Sequence, residues 1–167
     1  MRKDFLQVKK MLVKGIDVED FVNYKKCSLY VAFPNCTFKC GKDICQNSIL
    51  ACTTAQEISP ETLYLHYEKN QLTEAVVCGG LEPFDSPNDL ADLVFTWRVI
   101  HHNADDIVIY TGYTEDELKY DKTFQFITAF KNIIIKFGRF IPNSESIYDE
   151  VLGVTLQSKN QYAKKYE

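Results

Sequence analysis

Four stretches of the chain are apolar along almost their whole length: Ser28–Phe33, Ala75–Cys78, Ile107–Tyr110 and Ile133–Phe137. They are short and rich in β-branched and aromatic side chains, which predicts strands. Because apolar residues are not alternated with polar ones, the runs suit strands covered on both faces, as in a parallel sheet. Helix signals lie between them. Ser59-Pro60-Glu61 reads as an N-cap with proline at the first helical position, leading into Leu63–Lys69. Ser86-Pro87 repeats that start, and Leu90, Leu93, Val94, Trp97 and Ile100 then recur at helical spacing, giving one apolar face. Thr114-Glu115-Asp116-Glu117 fits a capping box, and Phe124–Phe130 predicts a further short helix.

Strands alternating with helices, with no hairpin-type turn between strands, predict right-handed crossovers and a mainly parallel sheet. The 167 residues contain no internal repeat and no Gly/Ser linker, so a single domain over 1–167 is expected. A closed barrel of eight strand–helix units takes about 250 residues. The expected fold class is therefore α/β: a partial, open (β/α) barrel or open sheet. Ligands of such sheets gather at the carboxyl ends of the strands, which places the loops after Phe33, Cys78, Tyr110 and Phe137 on one rim.

Composition narrows the setting. An apolar fraction of 46% with 25% charged residues is that of an ordinary globular protein. Lys9, Lys10 and Lys14 interrupt the only stretch placed to act as a secretory signal, and no apolar run reaches the ~18 residues of a membrane span. A cytoplasmic protein without a membrane partner is the expectation. The net charge of −4, with only the small basic pairs Lys25-Lys26 and Lys164-Lys165, argues against nucleic acid. In a reducing compartment the six cysteines are better candidates for ligands than for disulfides.

Three of them share the first rim loop, as Cys36-Thr-Phe-Lys-Cys40-Gly-Lys-Asp-Ile-Cys45. In this C-x3-C-x4-C spacing, Gly41 lets the loop curl around one centre. Thiolates are soft ligands that take iron–sulfur clusters, zinc or Cu(I). Three cysteines on a four-iron cluster leave one iron open to a ligand, whereas Cys52 as a fourth donor would close a structural zinc site. Cys27 and Cys78, at a strand start and a strand end, read as buried thiols.

The second rim loop, Cys78-Gly79-Gly80-Leu81-Glu82-Pro83, ends its strand in two glycines that let a ligand approach the backbone. Glu82 follows as an acceptor for a ligand ammonium group. His66, His101 and His102 read as surface or helix-end residues. Asp85, Asp89 and Asp92 read as compensation of a helix dipole. Arg139 has two readings, a carboxylate-binding group or a structural salt bridge.

In these motifs the sequence resembles the radical S-adenosylmethionine (SAM) superfamily, and within it the small activating proteins of anaerobic ribonucleoside-triphosphate reductase. The resemblance runs from about Asp20 to Gln161. It rests on Asp20-Phe-Val-Asn23, the three cysteines, Gly79-Gly80 with Glu82-Pro83, Tyr110-Thr-Gly-Tyr113, Phe137-Gly-Arg139-Phe140 and Ser158-Lys-Asn160-Gln161, taken in that order. It implies a [4Fe-4S] cluster on Cys36, Cys40 and Cys45 whose open iron chelates SAM. Gly79, Gly80 and Glu82 would lie along the methionine part of SAM, Ile44 near the adenine, and Thr111, Gly112 and Tyr113 on the same rim. The implied activity is that of an oxidoreductase that cleaves SAM to a 5′-deoxyadenosyl radical and installs a glycyl radical on a partner enzyme. That partner would be anaerobic ribonucleotide reductase, with reduced flavodoxin or a similar protein as electron donor. The second cysteine gap is two residues longer than the superfamily's C-x3-C-x2-C, Leu81 interrupts its Gly-Gly-Glu, and Tyr24-Lys25-Lys26 replaces a Gly-Pro-Gly. These departures mark a divergent subgroup.

Overall fold

The computed structural model describes residues 9–167. In chain order the regular elements are β1 (Met11–Val13), β2 (Gly15–Asp20), β3 (Ser28–Phe33), α1 (Ser48–Cys52), β4 (Gln56–Ile58), α2 (Pro60–Lys69), β5 (Ala75–Gly80) and α3 (Pro87–Phe95). They continue with β6 (Asp106–Tyr110), α4 (Glu115–Leu118), α5 (Lys122–Thr128), β7 (Ile133–Phe137), β8 (Ile147–Asp149), β9 (Val154–Leu156) and β10 (Tyr162–Tyr166). The fold is mixed α/β around a six-stranded sheet of order β10-β7-β6-β5-β3-β2. Its four central strands, β3, β5, β6 and β7, are parallel and are the four predicted from apolar runs. Both outer strands are antiparallel. Among the described residues the sheet stays open, because β2 and β10 are its two edges.

The expectation that no hairpin joins strands is corrected. β8 and β9 form an antiparallel pair, and β2 leads directly into antiparallel β3. These strands are missing from the apolar pattern for a physical reason. All but the last residue of β2 is exposed or half-buried, and β8, β9 and β10 are largely so, leaving no continuous hydrophobic stretch to read. Strand β5 also runs two residues further than predicted, through Gly79 and Gly80.

Side chains alternate across the parallel strands and fill two cores. Leu29, Val31, Val76, Cys78, Ile107, Ile109, Ile133 and Ile135 pack toward helices α2 and α3, against Leu63, Leu90, Leu93 and Trp97. Ala75, Val77, Val108 and Ile134 face the other way, under Tyr24, Leu152 and Leu156. The segment carrying β8 and β9 thus covers the face that no helix covers. Helix α2 starts as expected, with the Ser59 hydroxyl accepting from the Thr62 N–H at 3.0 Å. Ser86 departs from its predicted capping role: its hydroxyl accepts from Asn35 Nδ2 at 3.0 Å, which ties the first rim loop to the start of α3. The helical spacing through Ile100 continues as a π turn over Thr96–Ile100. The capping box at Thr114 and Glu117 is formed in full.

Gly80 has φ +92°, and a Cβ there would lie 2.8 Å from Ala32 Cα and Phe33 N. Gly80→Ala is expected to destabilise the protein by about 2–3 kcal/mol, through left-handed strain and backbone collision. Gly15→Ala, whose Cβ would meet only Ala32 Cβ at 3.8 Å, should stay within about 1 kcal/mol of wild type. Urea unfolding of the two variants checks this, and equal stabilities would contradict it.

Candidate metal centre

The loop leaving β3 is fixed along its length. Leu81 N–H donates to the Phe33 carbonyl at 3.1 Å and Glu82 N–H to that of Asn35 at 2.9 Å, so the loops after β3 and β5 run side by side. Thr37 N–H donates to Asp85 Oδ2 at 2.7 Å, and Phe38 N–H approaches Cys36 Sγ at 3.2 Å. Gly41, at φ +99°, reverses the chain and donates to the Phe38 carbonyl at 2.9 Å. A single 3-10 turn, Lys42–Ile44, follows, with Cys45 N–H donating to the Lys42 carbonyl at 3.3 Å. The longer second cysteine gap is therefore taken up by this compact turn, which brings Cys45 back toward the loop. Asn47 Nδ2 then anchors the exit to the Gly80 carbonyl at 2.7 Å.

Glu82 joins the second and third rim loops. Its side chain is only 5% exposed. Oε1 accepts from the Phe84 N–H at 3.1 Å and from the Thr111 hydroxyl at 2.8 Å, and Oε2 accepts from the Gly112 N–H at 2.8 Å. A carboxylate offers about four acceptor positions. One remains on Oε2 for a ligand donor, so the ammonium role read from sequence is reduced to that single position. Burial pushes the Glu82 carboxyl up to about 7, against the three donors that favour its charged form.

Tyr113 donates to Asp85 Oδ1 at 2.6 Å, and burial with this bond raises its hydroxyl to about 12. Asp85 is thereby held by Thr37 and Tyr113, Asp89 Oδ2 accepts from the Leu12 N–H at 3.3 Å, and Asp92 pairs with Lys9 at 2.5 Å. Asp89 also lies in the first turn of α3, as the dipole reading requires, and the series makes tertiary contacts besides. Arg139 forms the salt bridge of the structural reading and also lines the cavity. It donates to Glu117 Oε1 at 2.8 Å and holds that carboxyl down at about 2. At the fourth rim loop Gln161 Nε2 reaches the Gly138 carbonyl at 3.2 Å and Asn160 Nδ2 that of Arg139 at 2.9 Å. The two closing motifs of the sequence interlock in this way.

All four loops open onto one cavity of about 350 Å³. Cys36, Cys40 and Cys45 line it, as do Ile44, Gly79, Gly80, Glu82, Thr111, Gly112 and Tyr113. Every site residue read from the sequence is thus brought together. Cys52 is exposed on α1 and is not part of the lining; Cys27 and Cys78 are buried in the fold. His66 and His102 are exposed, and His101 stacks on Tyr64 with ring centroids 3.6 Å apart. The lining also contains Tyr30, Tyr110 and Lys136, which sequence reading missed. The signal for Lys136 was present: it is the one charged residue within Ile133–Phe137.

The donor set fits an iron–sulfur cluster. Three thiols and no imidazole face the cavity, and the glycines of β5 keep the wall beside them free of side chains. A Cβ on Gly79 would stand 2.9 Å from the Tyr30 ring. Burial pushes the Cys36 thiol up, and Glu82 and Asp85 add to the shift. Among the described residues no three His, Cys, Asp or Glu side chains are already gathered around a single-ion position.

The sequence model of the 4Fe-4S single cluster domain matches residues 24–161, a span that contains the cysteine loop and all four rim loops. The chain belongs to this family. No curated protein and no solved structure matches it. Membership of this family indicates a 4Fe-4S cluster domain. Among the described residues, no helix is long and apolar enough to cross a membrane.

Anaerobically reconstituted protein should hold about four irons. Cys36→Ala, Cys40→Ala and Cys45→Ala should each lose most of that iron in a colorimetric assay, and Cys52→Ala should retain it. Loss of metal in Cys52→Ala alone would instead support a closed four-cysteine site. A second expectation concerns Glu82. Its folded value near 7 lies above the unfolded value, so its contribution to stability is complete below about pH 4.5 and is lost as pH rises through 7. Relative to Glu82→Gln, wild type should lose about 3 kcal/mol between pH 4.5 and pH 8 in urea unfolding. Parallel pH profiles would contradict the buried-carboxyl account.

Proposed function

We propose that the chain is a radical SAM oxidoreductase: an iron–sulfur, SAM-dependent activating enzyme that installs a glycyl radical on a partner protein. The observation that carries this reading is the meeting of three successive strand ends at one cavity. The first brings Cys36, Cys40 and Cys45, the second Gly79 and Gly80, and the third Thr111-Gly112-Tyr113. The open, mostly parallel sheet is consistent with the partial barrel expected for such a protein.

Each residue has a defined part. Cys36, Cys40 and Cys45 would hold the [4Fe-4S] cluster and leave one iron for SAM. Gly79 and Gly80 expose strand backbone, and the free position on Glu82 Oε2 accepts a ligand N–H. Ile44, 36% exposed next to Cys45, offers an apolar surface for the adenine. When bound, the cluster and SAM supply one-electron cleavage of SAM as the source of a hydrogen-abstracting radical. The protein then has no side-chain acid or base to provide; it orients the ligand and keeps solvent away.

Val22, in the segment before β3, lines the cavity and stands 76% exposed, and the neighbouring Phe21 is 65% exposed. A partner docking over this rim would bury those side chains and complete the enclosure. The partner implied by the resemblance is anaerobic ribonucleotide reductase, with reduced flavodoxin or a similar donor supplying the electron.

With dithionite under anaerobic conditions, reconstituted protein should convert SAM to methionine and 5′-deoxyadenosine, measured by liquid chromatography. Addition of the reductase should produce a glycyl-radical signal in electron paramagnetic resonance. Cys45→Ala should abolish both. Tightly bound zinc with no SAM cleavage would overturn the proposal.

A further inference from the structure

A second cavity, of about 390 Å³, lies at the amino ends of β6 and β7 and shares no lining residue with the first. Asp106, the first residue of β6, is 5% exposed in its wall. Asp106 Oδ2 accepts from the Lys26 ammonium at 2.6 Å and from the Tyr24 hydroxyl at 3.0 Å, and Oδ1 accepts from the Lys165 ammonium at 3.3 Å. Burial opposes ionisation here, but the bonds from Lys26 and Tyr24 and the charge of Lys165 hold the Asp106 carboxyl below its ordinary range. Neighbouring residues of β10 point to opposite faces, so Lys164 turns to Glu115 while Lys165 enters this wall.

Lys25 is the third cation of the wall. Its backbone N–H donates to the Leu152 carbonyl at 2.9 Å, and its ammonium lies 5.9 Å from the centre of the Tyr24 ring. Its stem packs on Gly153, where an added Cβ would stand 2.6 Å from Lys25 Cβ. Among the described residues no carboxylate pairs with the Lys25 ammonium, and Asp106 is already shared by Lys26 and Lys165. Glu74 and Asp105 also act on Lys26, without reaching ion-pairing distance or entering the wall. Three ammonium groups against one carboxylate leave the wall with two positive charges in excess. Each ammonium has three donors; Lys26 and Lys165 use one each on Asp106, and those of Lys25 are free for a ligand.

We propose that this second cavity binds a phosphate group. At neutral pH a phosphate monoester carries a charge of about −2 and three strong acceptor oxygens, which match the excess charge and the three lysines. The volume falls within the ~300–1,000 Å³ of small-molecule sites, and Ile134 and Val151 give the wall an apolar part for the remainder of an organic phosphate. The phosphate comes from a phosphorylated small molecule or from inorganic phosphate. Tyr24-Lys25-Lys26 stands where the superfamily that the sequence resembles has Gly-Pro-Gly, so these donors are a feature of this chain. The site does not rest on the function proposed above.

Isothermal titration calorimetry of the reconstituted protein at pH 7.5, in a chloride buffer, tests the proposal with inorganic phosphate and glycerol 3-phosphate as probes. Each should bind saturably at one site. Binding should weaken roughly tenfold or more in Lys25→Gln and in Lys165→Gln. It should be unchanged in Lys122→Gln, whose exposed side chain at the start of α5 lines neither cavity. Lys25→Gln leaves every pair of Asp106 in place, so its thermal midpoint should equal that of wild type and its loss reports binding alone. Tighter binding of the ester assigns the phosphate to a small molecule, and equal affinities assign it to inorganic phosphate. No saturable binding of either probe, unchanged binding in either lysine variant of the wall, or an equal loss in Lys122→Gln would overturn the inference. So would succinate bound as tightly as the phosphates, which would assign the site to dicarboxylates. None of these readouts involves SAM, so they decide the second cavity whether or not the protein cleaves SAM.

Discussion

Parallel pairing of β3, β5, β6 and β7 makes all four central strands run in one direction, so the four loops that leave them emerge on the same rim. The register settles which residues meet there. Ala32 pairs with Gly79 and Phe33 with Gly80, while Tyr110 pairs with Lys136. Because successive residues of a strand point to opposite faces, Cys78 goes into the helix-side core while Tyr110 and Lys136 line the cavity. A shift by one residue in any pair would exchange the two sets. The metal centre thus depends on the same backbone ladder that organises the core, and the hydrophobic faces on either side keep that ladder in place.

Glu82 shows how the rim is kept rigid. Its backbone N–H is tied to the cysteine loop through Asn35, and its carboxylate to the loop after β6 through Thr111 and Gly112. One buried residue therefore ties three loops to one another, through its backbone and its side chain. Lys136, on the same cavity, has the opposite character: a buried charge with a backbone carbonyl as its hydrogen-bond partner. Glu82 thus accepts from three protein donors, whereas the Lys136 ammonium has a single protein acceptor.

The central strands could be read from the chain because burial on both faces demands unbroken apolar sequence, as in Ala75-Val76-Val77-Cys78 and Ile133-Ile134-Ile135. Edge strands carry no such demand. Gly15-Ile-Asp-Val-Glu-Asp20 and Tyr162-Ala-Lys-Lys-Tyr166 present polar residues to solvent, and only their pairing with β3 and β7 makes them strands. The site was legible where chemistry restricts residue type, as for thiols in one loop and paired glycines at a strand end. It was not legible where a residue's role depends on which face it occupies. Tyr30 and Tyr110 belong to apolar runs whose two faces look alike in sequence, and the dual use of Asp85 by Thr37 and Tyr113 joins loops 48 and 28 residues away.

Three cysteines holding four irons leave one iron with a different ligand, and this asymmetry is the central chemical claim. Mössbauer spectroscopy of protein reconstituted with ⁵⁷Fe, recorded with and without SAM, tests it most directly. The account predicts a [4Fe-4S] spectrum in which one iron of the four is distinct and changes its parameters when SAM is added. Four irons that remain equivalent and indifferent to SAM, or a spectrum showing no cluster, would contradict it.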